Sequence, residues 1–372
     1  DWSVTGVQTC ALPISLQTTE TNACPFMRHH HPPRIARFPT RLLCVAGVAT
    51  SAIAYSAPPA DRPNILIAVA DDWSYPHASI HGTAWVKTPA FDRVAREGVL
   101  FTNAYTPVAK CTASRACMLT GRNPWQIESG FAHNGYFPVN YRSYAEVLAD
   151  AGYVIGFTGK GWGPGIALKA DESKRELLGP AFNQRTAPAP TKGISQTDYA
   201  ANFAEFLGAA KDQPWCFWYG GHEPHRDYEY SSAITQGGKK LSDLDRVPGY
   251  WPDDERVRND VLDYAFEVEH FDRHLGRILD LLAQRGELDR TLVIVTSDNG
   301  MAFPRSKGQS YEIASHLPLA MRWPAQLKSP GRVVTDYVSF IDLAPTMLAA
   351  AGVDWRSEEH TSELQSVTNL VC

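Results

Sequence analysis

Asn64–Ala70 reads NILIAVA, seven residues without a charge, and 292–296, LVIVT, repeats the pattern far along the chain. A continuous apolar run of this length, rich in branched side chains, is what a strand covered on both faces looks like. Such strands belong to parallel sheets wrapped by helices. Both runs stop abruptly on acids: Asp71-Asp72 follows the first, and Ser297-Asp298-Asn299-Gly300 follows the second. Open α/β sheets place their sites outside the carboxyl ends of strands, and carboxylate and amide oxygens are hard donors that suit Ca²⁺, or Mg²⁺. Taken by itself, Asp71-Asp72 also fits a solvated turn or a helix cap.

Shorter apolar runs at 153–157 and 215–219 predict two more strands. Helical periodicity predicts helices over 89–97, 144–151, 199–211 and 260–284. This alternation predicts an α/β fold, a three-layer sandwich with a mainly parallel central sheet, over a catalytic domain at 62–355. In the 260–284 helix, Val261, Tyr264, Val268, Phe271, Leu275, Ile278 and Leu282 form one stripe. Asp263, Glu267, Glu269 and His270 off that stripe are expected on a solvated face or in structural pairs.

The ends read differently. Residues 1–15 and 356–372 carry no periodicity that fits their neighbours and resemble translated sequencing-adapter sequence. We expect 1–26 to be a foreign or disordered tail and 356–372 a foreign tail. Residues 27–57 read as a signal peptide: Arg28, Arg34, Arg37 and Arg41 precede an apolar, alanine-rich stretch at 42–54, with Ala52-Ile53-Ala54 and Ser56-Ala57 as cleavage candidates. The apolar run is shorter than the ~20 residues that cross a bilayer, so stable membrane insertion is not expected and a periplasmic or secreted location is. Beyond the two tails and the signal, only Cys111, Cys117 and Cys216 remain, too few for a disulfide framework. A net charge of −5 argues against a nucleic-acid partner, so any polyanion must be held by local basic residues.

Candidate chemistry sits in loops. Cys111-Thr112-Ala113-Ser114-Arg115 lies between β-like residues and a helix expected from Ser114 towards Leu119, so a thiol stands near a helix N-terminus, where anions are favoured. Arg115, one turn on, should share its face. Lys160 lies in the glycine-dense turn 158–165, TGKGWGPG. His222, His225 and Arg226 follow the 215–219 strand in GGHEPHR, and Lys307 follows in PRSK. The loop at 237–254 carries Tyr250 and Trp251, which with Trp162 could stack on sugar faces or simply pack.

The stretch C-x-[P/A]-S-R resembles the signature at which sulfatases have cysteine oxidised to formylglycine. The order strand, Asp-Asp, helix, Cys-x-Ala-Ser-Arg, Gly-Lys, His-x-Pro-His, Asp-Asn-Gly resembles a type I sulfatase of the alkaline phosphatase superfamily over nearly all of 64–353. The HEPHR, DNGMAFP and VPGYWPD segments look most like the heparan N-sulfatase (sulfamidase) branch. The resemblance implies an alkaline phosphatase-like fold, with the usual small C-terminal subdomain expected after Val353 and absent. It implies Asp71, Asp72, Cys111, Asp298 and Asn299 around one divalent cation. Cys111, Arg115, Lys160 and His222 would be catalytic, and His225, Arg226 and Lys307 would bind substrate.

Cys111 would be matured by a formylglycine-generating maturase. The hydrated aldehyde would attack sulfur with one hydroxyl and expel sulfate with the other. The substrate implied is a sulfated saccharide of the heparan sulfate type, with N-sulfoglucosamine favoured. The same motif also serves O-sulfatases and phosphodiesterases or phosphonate monoester hydrolases, and an unmatured Cys111 would leave a glycan-binding protein. One departure is plain: the family usually carries histidine two residues after the lysine, and here that place holds Trp162.

Overall fold

The computed structural model describes residues 62–327 and 329–354, so the expected tails at 1–26 and 356–372 and the expected signal peptide at 27–57 lie outside the described residues. The central sheet has seven strands in the order Arg332–Val334, Val99–Phe101, Leu319–Arg322, Thr291–Ser297, Asn64–Ala70, Trp215–Gly220 and Val154–Gly159. All neighbours run parallel except Leu319–Arg322, which is antiparallel to both strands beside it. The two apolar runs are therefore adjacent central strands, paired from Asn64 with Thr291 to Ala70 with Ser297. Every residue in both is buried.

Alternation along the first strand feeds two cores. Leu66, Ala68 and Ala70 pack with Phe203, Phe206, Leu275 and Ile278 on one side; Ile65, Ile67 and Val69 pack with Met118, Leu119, Leu148 and Met347 on the other. That is the expected three-layer sandwich.

Local chemistry sets the helix starts. Pro89 opens Pro89–Glu97, and the carboxylate of Asp272, brought from another helix, accepts from the Ala90 and Phe91 amides at 2.9 and 2.8 Å. Ser143 and Glu146 form a reciprocal capping box at the head of Tyr144–Asp150. The long helix is Glu255–Gln284, starting a turn earlier than its periodicity suggested because Asp254 caps it, accepting from the Val257 amide. Of its off-stripe polar residues, Glu269 is in a structural pair with Lys239, as expected, but the others are not on a solvated face. Asp263, Glu267 and His270 are buried, since the helix packs against Pro89–Glu97, Tyr199–Ala210 and Ser232–Thr235 together and is covered on more than one side.

A glycine pair closes the strand ends nearest the site. Gly159 has φ +73°, and a Cβ there would meet the Gly220 carbonyl at 2.0 Å; a Cβ on Gly220 would meet the Lys160 carbonyl at 1.9 Å. This close approach lets the Lys160 amide donate to the Gly220 oxygen at 2.7 Å and fixes where the lysine leaves the sheet. Among the described residues, no helix is long and apolar enough to cross a membrane.

Candidate active site

The register places Ala70, Ser297, Gly220 and Gly159 at one edge of the sheet. The segments that follow them meet there. Asp71 and Asp72 leave the strand Asn64–Ala70, Asp298 and Asn299 leave its neighbour Thr291–Ser297, and all four are buried. The Asp72 amide donates to Asp298 Oδ1 at 3.2 Å, and Asn299 Nδ2 donates to Asp72 Oδ1 at 2.8 Å, so both acidic pairs converge as expected. Asp72 itself has φ +81°, a conformation uncommon for an L-residue, which turns the chain back over the strand end.

Three cations face the three carboxylates. Lys160 Nζ donates to Asp71 Oδ2, Lys307 Nζ donates to Asp72, and Arg115 Nε donates to Asp298 Oδ2 at 2.6 Å. Burial raises the carboxyl of Asp71, but Lys160, Arg115 and Lys307 outweigh it and hold it well below the usual range. Asp72 is pushed the other way, by burial first and then by the charge of Asp71. Asp298 is also raised, by burial and Asp71, against the pull of Arg115.

The residues fit a divalent cation on two observations. Asp71 Oδ1 and Asn299 Oδ1 are buried oxygens with no hydrogen-bond partner. Ligand atoms of Asp71, Asp72 and His225 also lie within 4.8 Å of one another. Hard oxygens in excess of their donors are what Ca²⁺ or Mg²⁺ takes.

Cys111 is the first residue of the buried helix Cys111–Thr120, three residues earlier than its sequence suggested. The thiol therefore stands in the first turn, where backbone amides are free, and Lys110 at the cap offers no side-chain bond. Arg115, one turn on, is wholly buried and mostly committed. Besides Asp298 it donates through Nη1 to the Lys160 and Gly161 carbonyls at 2.7 and 3.0 Å and lies over the Trp218 ring, leaving Nη2 without a partner. Burial opposes its charge, yet Asp298 and Asp71 raise its pKa. Cys117 and Cys216 are buried and free, and burial pushes Cys117 up to about 12.

His222 and His225 stand at the mouth. The His222 amide donates to the Tyr199 hydroxyl at 3.1 Å, and that hydroxyl donates to Glu223 Oε2 at 2.8 Å, so a buried tyrosine and glutamate hold the histidine's backbone. Both imidazoles have lowered pKa values, from desolvation first, against the pull of Asp71; Arg115 and Lys160 add to the lowering of His222, and Lys307 and Lys160 to that of His225. Arg226 is not free for a ligand. It grips Asp260 with two nitrogens at 2.9 and 2.7 Å and the Ala302 carbonyl at 3.0 Å, tying the long helix to the loop after Asn299.

Trp162 is half-buried, packed edge-on against Phe137 with ring centres 5.2 Å apart. Trp251 packs on Phe303 and donates to the Pro304 carbonyl, while Tyr250 is exposed. One residue escaped the sequence reading. His133 lies exposed with Nδ1 3.3 Å from Thr112 Oγ1, next to the nucleophile candidate, and its pKa is lowered by desolvation and by Lys110, Lys160 and Lys307. No motif announces it, since it sits 21 residues from Thr112 in an irregular segment.

Comparison with known proteins bears on the family and the fold. The chain is 29% identical over 326 residues to the human N-sulphoglucosamine sulphohydrolase, covering 81% of this chain and 62% of that protein's length. It therefore spans less than two thirds of that relative. It is 25% identical to an N-acetylglucosamine-6-O-sulfatase of Bacteroides thetaiotaomicron, covering 82% and 71%. Among solved structures, a protein in complex with its substrate D-glucosamine-2-N,6-O-disulfate superposes with a TM-score of 0.62 at 22% identity, over 83% of this chain and 80% of that one. The phosphonate monoester hydrolase of Agrobacterium radiobacter shares the fold at a TM-score of 0.59 and 20% identity, over 79% and 74%. The sulfatase family profile matches residues 63–353, and with that extent of match the chain belongs to the sulfatase family.

Proposed function

We propose that this protein hydrolyses sulfate from a sulfated glycan of the heparan sulfate type, with the N-sulfate of glucosamine as the bond cleaved and Cys111 as the site of the nucleophile. The observation that carries this reading is the meeting of Asp71, Asp72, Asp298 and Asn299 with Lys160 and Lys307 at one sheet edge. Membership of the sulfatase family supports it, as does the relation to an N-sulphoglucosamine sulphohydrolase.

Asp71, Asp72, Asp298 and Asn299 would hold the cation, Ca²⁺ by preference. When present, the cation lowers the pKa of a hydroxyl and offsets sulfate charge, and a formylglycine at 111 supplies that hydroxyl. In this reading Lys160, Lys307, His222 and Arg115 would hold sulfate oxygens while charge builds on them. The amine released in N-sulfate cleavage needs a proton, and His225 is our candidate donor. The Trp162 indole is a donor only and cannot take the missing histidine's part in moving a proton; His133, 3.3 Å from Thr112 Oγ1, is our candidate for it. A formylglycine-generating maturase is the implied partner, and the segment at 27–57 implies export to the periplasm or medium.

The test is to mature the chain, verify the aldehyde at Cys111 by peptide mass, and compare substrates. Glucosamine N-sulfate should lose sulfate faster than glucosamine 6-O-sulfate. Faster 6-O release would overturn the bond chosen, faster phosphate release from aryl esters would point to the phosphonate hydrolase chemistry, and no turnover with the aldehyde present would sink the enzyme reading.

A further inference from the structure

We infer that the cavity beside Lys307 is a second sugar subsite, which reads an anionic group on the unit next to the one desulfated. It rests on the sulfated-glycan reading above. The cavity encloses about 450 Å³, within the range of small-molecule sites, and is lined by Tyr75, Tyr250, Arg305, Tyr311, Glu312 and His316 among others.

Arg305 is what makes it a site. Its guanidinium lies 5.3 Å from the Tyr250 ring centre and 5.7 Å from that of Tyr311, and among the described residues it has no hydrogen bond or ion pair. The other cations of the region are engaged: Lys160 by Asp71, Lys307 by Asp72, Arg226 by Asp260. Arg305 also sits at φ +64°, a backbone conformation that costs energy in an L-residue and persists only where the surroundings impose it. A planar fork held by two aromatic rings keeps its donors in a fixed plane, which matches the paired oxygens of a carboxylate or sulfate better than a lysine would.

The remaining walls suit a sugar ring. Tyr250 and Tyr311 are 43% and 49% exposed and give apolar surface open to solvent, while Tyr75 and His316, stacked on each other at 4.0 Å and 13°, make a packed wall. Glu312, which accepts from the Tyr105 hydroxyl at 3.2 Å, adds an acceptor for ring hydroxyls. Two of the lining residues are close in the chain to residues of the candidate active site. Arg305 stands two residues before Lys307, Tyr75 three after Asp72, and the Tyr75 amide is tied to the His316 carbonyl at 3.1 Å.

Binding to the unmatured chain, which retains cysteine at 111, separates this proposal from hydrolysis. The calorimetric probes are N-sulfoglucosamine alone and the same sugar linked through its reducing end to glucose, to glucuronic acid, or to glucose 2-O-sulfate. We expect the two anionic disaccharides to bind about tenfold or more tighter than the monosaccharide, with the glucose disaccharide well behind them. The tighter of the two tells carboxylate from sulfate. Arg305→Ala should erase the anionic advantage and leave monosaccharide affinity within twofold, which also reports that the variant is folded. Equal affinity for all four probes, or an equal loss for all four in Arg305→Ala, would overturn the subsite. Sulfate release from the monosaccharide by matured chain is read independently, so the enzyme reading can fail while the subsite stands.

Discussion

Lys307 Nζ lies 2.6 Å from Oδ1 and 2.8 Å from Oδ2 of Asp72, so one ammonium spans a carboxylate that also receives Asn299. A divalent cation entering between Asp71, Asp72, Asp298 and Asn299 would share that carboxylate with the lysine. We expect Ca²⁺ to raise the thermal midpoint by a few degrees, since a hundredfold excess over Kd is worth about 2.7 kcal/mol. Asp71→Asn should remove most of the shift. A wild-type midpoint indifferent to both Ca²⁺ and chelator would refute the cation site.

Arg115 is expected to be structural as well as electrostatic. Arg115→Ala leaves Asp298 buried without its 2.6 Å partner and frees two carbonyls, a change of the kind that costs about 3–5 kcal/mol. Arg115→Lys should recover little, because one ammonium cannot reach the carboxylate and both carbonyls. Denaturant midpoints of the two variants check this, and a lysine variant as stable as wild type would count against it.

His133 should matter for turnover and not for folding. It is exposed and, among the described residues, bonded only to Thr112, so His133→Ala should keep the thermal midpoint within a degree or two while kcat falls by about tenfold to a hundredfold. Steady-state rates on matured enzyme decide it. An unchanged kcat would refute this role for His133.

Glu267 predicts a pH dependence of stability. Both its oxygens are buried without partners, and its pKa is pushed up to about 9 by burial, then by Glu223, Asp263 and Asp227. The folded carboxyl thus holds its proton more tightly than the unfolded one. Its contribution is full below about pH 4.5, declines as pH rises, and is lost by about pH 9. Glu267→Gln should gain stability over wild type progressively across that window, at up to about 1.4 kcal/mol per pH unit. Urea midpoints from pH 5 to 9 that run parallel for the two proteins would rule it out.

Much of the scaffold was legible because its signals are local. Uninterrupted apolar runs predicted central parallel strands, and acids at their ends predicted a convergent site, since sheet register carries strand ends to one edge. Lys160 was legible for a similar reason, as its glycines are forced by the approach of Gly159 to Gly220. What escaped depends on which surfaces meet. Asp263 and Glu267 look solvent-facing on a helical wheel, and only the three helices packed around Glu255–Gln284 bury them. Arg226 reads as a free cation until Asp260 is found 34 residues away. The start of the cysteine helix was misjudged because its first turn lacks a capping side chain, the usual written mark of a helix beginning.

The bond from the Asp72 amide to Asp298 spans 226 positions of chain. A contact of such sequence separation forms only after most of the polypeptide has been synthesised and its loop closed. The proposed cation site is thus completed late in the molecule's history: a nascent chain halted before Ser297 has half of its ligands, and if the site takes Ca²⁺, the first tight binding would time the docking of the two central strands.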